Sequence, residues 1–339
     1  MNFMSDTAAP AHPAILEAMV AAAKGPAPSY GNDPWTSAAR GALAQVFETD
    51  LDIWLVSSGT AANALGLSIL CPSHGGVLCH QDAHIQTDER GAPEFYTGGG
   101  KLILLPGQHA RIDLAALKQR LEFNDPSFVH ETPVHALSLS NLTENGAAYH
   151  PFEIKERATL ACEAGLAVHL DGARLANALV STGATPAEMT WRAGVDVLSF
   201  GATKNGGAGC EAIILFGAAR KRLQELQVRA KRAGHMPPKM RFLGAQMSAY
   251  LKDGLWLDLA RNANQSATAL AAALTGAGAK LAHPVDGNEV FAFLPPGAAE
   301  SLKAAGAGFY PWPDGSHRFV TSWATEPQEI EAFASALDR

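Results

Sequence analysis

Through the first 250 residues, short apolar runs alternate with longer stretches in which apolar positions recur every three or four residues. The runs DIWLV (52–56), GGVLC (75–79), KLILL (101–105), HALSLS (135–140), GLAVHL (165–170), DVLSF (196–200) and AIILF (212–216) predict buried strands. Between them the pattern predicts helices over 10–25, 36–47, 61–70 and 150–165, the first with proline at its start and glycine past its end. Such alternation predicts an α/β fold, a largely parallel sheet with helices on both faces.

After the basic stretch RAKRAGHMPPKMR (229–241) the pattern changes to a long helical region over 241–275. KLAHP, EVFAFLP and HRFVTSW follow, then a helix over 327–337. The expectation is a large domain, 1–250, with two or three further strands and helices forming a smaller α+β domain, 251–339. No repeat or low-complexity linker separates the two, so they are expected to pack closely.

Composition narrows the classes. Apolar residues make up 47% and charged residues 17%, a globular balance, and the net charge of −7 argues against a nucleic-acid or anionic-membrane partner. The four cysteines form no C-x-x-C pair, so neither a zinc ribbon nor a disulfide framework is indicated. MNFMSDTAAP carries no basic n-region or apolar h-region, and no apolar run has membrane-spanning length; a cytoplasmic protein is expected.

Candidate chemistry gathers at strand ends, where open α/β sheets bind ligands. Lys204 follows the run 196–203 and opens the turn NGGAG (205–209), and its nearest acids in sequence are Asp196 and Glu211. A lysine held this way can form a Schiff base with a carbonyl compound or with pyridoxal 5′-phosphate (PLP); its ordinary alternative is a solvated turn residue. Ser57-Ser58-Gly59-Thr60, between a strand and a helix, offers N–H groups and hydroxyls to a phosphate, or else is a glycine turn with a threonine N-cap. Asp171 ends a predicted strand and can pair with a protonated pyridine nitrogen or cap the next helix, with Arg174 three residues on. HQDAH (80–84) reads as a loop and lacks the glutamate of H-E-x-x-H, so no metal is expected, and an imidazole stacked on an aromatic cofactor or acting as acid or base is favoured.

In chain order these signals run phosphate loop, histidine, aspartate, lysine. With SYGNDPWT, SSGTAANALGL, HLDGAR, SFGATKNG, KRAGHMPPKMRFLGAQ and HRFVTSW, the chain resembles the L-threonine aldolase group of PLP enzymes, aspartate aminotransferase-like fold type I. The variant TKNGG with KRAGHMPPKMRF looks most like bacterial low-specificity threonine aldolases and phenylserine aldolases. Met4, and SLSNLTENG in place of the usual Leu-Glu-Asn-Thr run, depart from the group's pattern.

The resemblance implies that Lys204 holds PLP as a Schiff base, Asp171 pairs with the pyridine nitrogen and His84 stacks on the ring. Ser58, Gly59 and Thr60 would hold the phosphate, Ser5 and Arg174 would contact substrate carboxylate or cofactor, and Arg318 would be the main carboxylate clamp. His130 aligns with a histidine near the substrate β-hydroxyl, with His135 a rival; either His84 or His130 could be the general base. Tyr30, toward substrate, and Arg241, toward cofactor, would be presented to a neighbouring subunit's site, with Lys239 a rival to Arg241. A homotetramer built from dimers is implied, with retro-aldol cleavage of L-β-hydroxy-α-amino acids to glycine and an aldehyde. An aminotransferase, racemase or β-eliminating lyase on the same fold is the nearer alternative, an inert scaffold the further one.

Overall fold

The computed structural model describes residues 1–337. Strands β1 (Asp52–Val56), β2 (Gly76–His80), β3 (Lys101–Leu105), β4 (Val134–Ser140), β5 (Ala167–Gly172), β6 (Val197–Gly201) and β7 (Glu211–Leu215) form one sheet in the order β1-β7-β6-β5-β4-β2-β3. From β3 through β6 every neighbouring pair is parallel, and β7 is antiparallel to both β6 and β1. The reversal follows from length: the connection from β6 is too short for a crossover, so the chain returns beside the strand it has just left. β5 lies two residues beyond the start expected at 165, which carries the polar Asp171 into the sheet, paired with Ser140 on one side and Ser199 on the other.

Helices α1 (Pro13–Ala22), α2 (Pro34–Val46) and α3 (Gly59–Ser68) precede the central strands, and α3 is buried at every position from Ala61 to Ser68. A helix buried all round must be apolar all round, and AANALGL nearly is. The helical region expected over 241–275 is two helices, Arg241–Leu251 and Leu255–Gly276, because Asp253 and Gly254 adopt positive φ between them. The first packs hard on α2: a Cβ added at Gly244 would lie 2.6 Å from the Thr36 nitrogen and the Trp35 carbonyl carbon.

A second sheet, β8 (Lys280–Leu281), β9 (Glu289–Phe293), β10 (Tyr310–Pro311) and β11 (His317–Val320), is antiparallel throughout in the order β10-β11-β9-β8. It has four strands where two or three are expected, two of them only two residues long. The chain's first residues are part of this unit. Phe3 donates its N–H to the Gly308 carbonyl at 2.9 Å, accepts from Val320 at 2.8 Å, and packs its ring edge-on against Phe333. No helix among the described residues is long and apolar enough to cross a membrane.

One buried cation ties these parts together. Arg174, after β5, donates from Nε and Nη2 to Asp6 (2.7 and 3.2 Å), and its Nη1 lies 3.1 Å from Oε2 of Glu289 at the head of β9. Burial pushes the Asp6 carboxyl up, but the Arg174 and Lys204 charges and hydrogen bonds from Arg174 and Asn288 outweigh it and hold the acid below its usual value. Burial pulls the Arg174 guanidinium down, but the same two carboxylates outweigh it and the net shift is upward.

Two outcomes follow for stability. Gly244→Ala forces the Arg241–Leu251 helix away from α2, and a denaturant titration is expected to show a loss of about 1–3 kcal/mol. Asp6→Asn leaves Arg174 with one carboxylate and is expected to cost on the order of 3 kcal/mol at pH 7. Because the native pKa of Asp6 is depressed, its contribution is complete above the unfolded value of about 3.9 and fades as pH falls through the native one. The gap between wild type and Asp6→Asn should therefore hold steady down to about pH 4 and narrow below it; a gap independent of pH contradicts the assignment.

Candidate active site

At the carboxyl edge of β4, β5 and β6 lies a cavity of about 260 Å³, opening into an outer chamber of about 1030 Å³ toward β10 and β11. The start of α3, His84, Asp171 and Lys204 line the inner cavity, and Ser5, Tyr310, Trp312 and Arg318 line the outer one. Arg174, Lys204, His84 and Glu144 belong to both.

Lys204 is half-buried in a single turn, Thr203–Asn205, between β6 and β7. Its neighbour Asn205 pins that turn, donating to the Tyr250 hydroxyl (2.9 Å) and the Trp256 carbonyl (2.7 Å), and Gln246 accepts from Ala208 N–H at 2.9 Å. Gly201 lets the turn approach β5, since a Cβ there would stand 2.6 Å from the Ala173 carbonyl oxygen. Glu211, the nearest acid after the lysine in sequence, faces the same cavity, and burial raises its carboxyl to about 7 despite Thr203 and Lys204.

Asp171 is buried on the cavity wall. Its Oδ2 accepts from Asn63 (2.7 Å) and its Oδ1 from Ala173 N–H (3.0 Å), so it shapes the turn after β5, while the helix that follows has Arg174 at its N-cap. Burial raises this carboxyl, but His84, the Ala173 N–H, Lys204 and His169 together hold it below its usual value. Behind it His169 bridges Ser138 (2.9 Å) and Ser199 (3.0 Å), and burial lowers its pKa to about 4, so it is neutral at physiological pH.

His84 opens a one-turn helix, α4 (His84–Thr87), rather than standing in the loop expected at 80–84. His80 instead ends β2, buried, accepting from Asp82 N–H (3.0 Å) and reaching the Gly107 carbonyl (3.2 Å); the two imidazoles share no site. The Nδ1 of His84 lies 2.8 Å from Oε1 of the buried Glu89, which also accepts from Asn63 at 2.8 Å. A chain of contacts thus runs His84–Glu89–Asn63–Asp171. Burial lowers the His84 pKa, but the Glu89 bond and the Asp171 charge overcome it and the net shift is upward.

At the start of α3 the N-cap is Ser58, not Thr60: the Ser58 side chain accepts from Ala61 N–H at 3.2 Å. The Gly59 and Thr60 N–H groups have no acceptor within the helix and stand at the cavity with the helix dipole behind them. A Cβ built on Gly59 meets nothing within 4 Å, so the backbone is open to a ligand.

The two arginines differ in freedom. Arg174 has its fork occupied by Asp6 and Glu289. Arg318 is held loosely: Nη2 is 3.4 Å from the Met4 carbonyl, Nη1 is 4.0 Å from Glu289, and the guanidinium sits 5.0 Å over the Trp312 ring and 5.7 Å over Tyr310. Its Nε is buried with no partner. A carboxylate entering the outer chamber would find an unsatisfied planar donor there.

Three expected residues are not brought to this cavity by their own chain. His130 is exposed beside Phe128 in the loop that precedes β4, so it enters the sheet from the edge opposite Ser140 and the cavity; His135, at the start of β4, shares that position. Tyr30 is 42% exposed with Lys231 over its ring. Arg241 donates to the Gly25 carbonyl at 2.8 Å and lies over Trp35 and Phe242. Residues absent from the sequence reading are Asn63, Glu89, Glu144 and, as a cavity residue, Glu211. A single polar residue inside an otherwise apolar run, Asn63 in AANALGL or Glu211 in CEAIILF, is the signal that could have found two of them.

The chain is similar to known proteins along most of its length. The family model described as beta-eliminating lyase matches residues 2–295. The low specificity L-threonine aldolase of Pseudomonas sp. (strain NCIMB 10558) is 39% identical over 99% of this chain and 96% of its own length. That of Pseudomonas aeruginosa is likewise 39% identical, over 98% and 96%. Among solved structures, the threonine aldolase of Leishmania major superposes with a TM-score of 0.92 at 31% identity, covering 100% of this chain and 98% of that one. A serine palmitoyltransferase from Sphingomonas wittichii, 14% identical, shares the fold with a TM-score of 0.74 over 100% of this chain and 86% of that one. The fold is therefore aspartate aminotransferase-like fold type I, and the chain belongs to the beta-eliminating lyase family, among the low specificity L-threonine aldolases.

Proposed function

We propose that the protein is a PLP-dependent aldehyde-lyase that cleaves L-threonine, L-allo-threonine and related L-β-hydroxy-α-amino acids, phenylserine included, to glycine and an aldehyde. The observation that carries this reading is the meeting of Lys204, Asp171, His84 and the open start of α3 around one cavity that leads to Arg318.

The residues fit PLP. Asp171 is an anion at the cavity wall, suited to a protonated ring nitrogen, and Ser58, Gly59 and Thr60 present donors to a phosphate. Lys204 supplies the amine for covalent attachment, and His84, held by Glu89, stands on the wall for a ring to stack against. When bound, PLP supplies an electron sink for the bond broken at the substrate Cα.

The protein's part is to bind and orient. Arg318 takes the substrate carboxylate in the outer chamber, with Ser5 beside it, and so sets which Cα bond stands ready to break. Arg174, bound to Asp6 and Glu289, holds the walls of both chambers in register. His84 lines both chambers of its own chain and is the candidate base toward the β-hydroxyl, while His130 lines neither. Tyr30 and Arg241, set away from their own cavity, support an assembly of two dimers in which each is presented to a neighbour's site; such a homotetramer acts in the cytoplasm on small-molecule substrates, with no nucleic-acid or membrane partner.

Protein purified with PLP is expected to be yellow and to release glycine with acetaldehyde from L-threonine, or with benzaldehyde from phenylserine. A yellow protein that instead makes a keto acid or a D-amino acid moves the function to an aminotransferase or racemase. Lys204→Ala is expected to abolish turnover and the visible band of covalently held cofactor; full activity in that variant contradicts the role of Lys204.

A further inference from the structure

Glu144, in the loop after β4, stands where the two chambers join. Its Oε1 accepts from the His84 backbone N–H at 2.8 Å and from Ser140 Oγ at 2.7 Å. Its Oε2 is buried and has no partner. No cation lies within ion-pair distance of it among the described residues. A charged carboxylate so placed leaves one oxygen buried without a donor, which favours a bound proton, while the residue as a whole is only partly buried and lines both chambers.

We propose that Glu144 is a further catalytic residue, its carboxyl group exchanging a proton with the β-oxygen of the substrate. The inference rests on the aldolase reading and deepens it. In the cleavage direction the hydroxyl proton passes to the Glu144 carboxylate, the O–H electron pair becomes the carbonyl π bond, and the Cα–Cβ pair stays with Cα. The aldehyde leaves, Cα takes up a proton, and Glu144 gives up the one it holds, so the proton count closes.

The surroundings suit that role. Burial raises the carboxyl to about 7, and Asp171 adds to the rise, against the hydrogen bonds from His84 and Ser140. The titratable and charged groups that share the inner cavity with it are His84 on α4, Glu89 after it, Asp171 on β5, Arg174 beyond it, Lys204 after β6 and Glu211 on β7, itself raised to about 7, while Cys79 on β2 and Tyr149 lie close enough to feel its charge. An acid poised near neutrality serves equally well as proton acceptor in cleavage and donor in the reverse direction.

Glu144→Gln tests this, because the amide oxygen can still accept both Oε1 bonds while the group can no longer exchange a proton. With the PLP-loaded protein and L-threonine, kcat is expected to fall by about 10²–10⁴-fold. KM and the visible cofactor band should stay unchanged, and the acid limb near neutrality should vanish from the kcat/KM profile. Infrared difference spectra of wild type minus variant should show a protonated carboxyl band that fades with a midpoint near neutral pH. A variant with wild-type kcat and an unaltered limb overturns the inference while the aldolase reading stands; wild-type protein that releases no aldehyde overturns both. If Glu144→Gln fails to fold or to hold cofactor, Ser140→Ala decides: loss of a donor to the carboxylate should move the acid limb to higher pH, and a stationary limb overturns the proposal.

Discussion

The buried ion cluster of Arg174 with Asp6 and Glu289 is the constraint on which the rest of the architecture depends. Asp6 comes from the N-terminal segment, Arg174 from the turn after β5, and Glu289 from the head of β9, so one guanidinium joins three parts of the chain far apart in sequence. A buried cation cannot be left without its anions. The cluster therefore ties the small sheet to the carboxyl edge of the large one, beside the cavity that Arg174 and Lys204 both line. The cavity and the outer chamber are the space this arrangement leaves.

The site itself is a balance of buried charge. Asp171, Glu89, Glu144 and Glu211 crowd the inner cavity against Lys204, His84 and Arg174. The carboxylates do not share one fate. Asp171 has donors on both oxygens and cations nearby, and is held down as an anion. Glu144 and Glu211 have too little compensation for their burial and are raised to about 7. One cavity thus holds a carboxylate kept as an anion beside carboxyls raised toward neutrality, the separation of proton affinities that acid–base chemistry at neutral pH draws on.

Different parts of this were legible in the sequence to different degrees. The strands and most helices follow from apolar spacing, which a solvent-excluded sheet enforces residue by residue. Lys204, Asp171 and Ser58–Thr60 were visible because each interrupts an apolar pattern at the end of a strand. Glu89 and Glu144 were not. Acids in loops are ordinarily solvated, and nothing local distinguishes one that tertiary packing will bury. His130 shows the converse: likeness in a motif placed it at the substrate, while its position before β4 puts it on the exposed side of the chain's own sheet.

The sequence by itself determined the α/β alternation and the family, and singled out the lysine and aspartate as candidates, because periodicity and turn composition act over a few residues. Only the tertiary structure decided that the N-terminal residues join the small sheet, that β7 runs against its neighbours, and that Arg174 is occupied while Arg318 is available. Those outcomes depend on which charges and backbone groups meet across long separations. Burial then sets the proton affinity of each acid, and burial is a property of the packed whole.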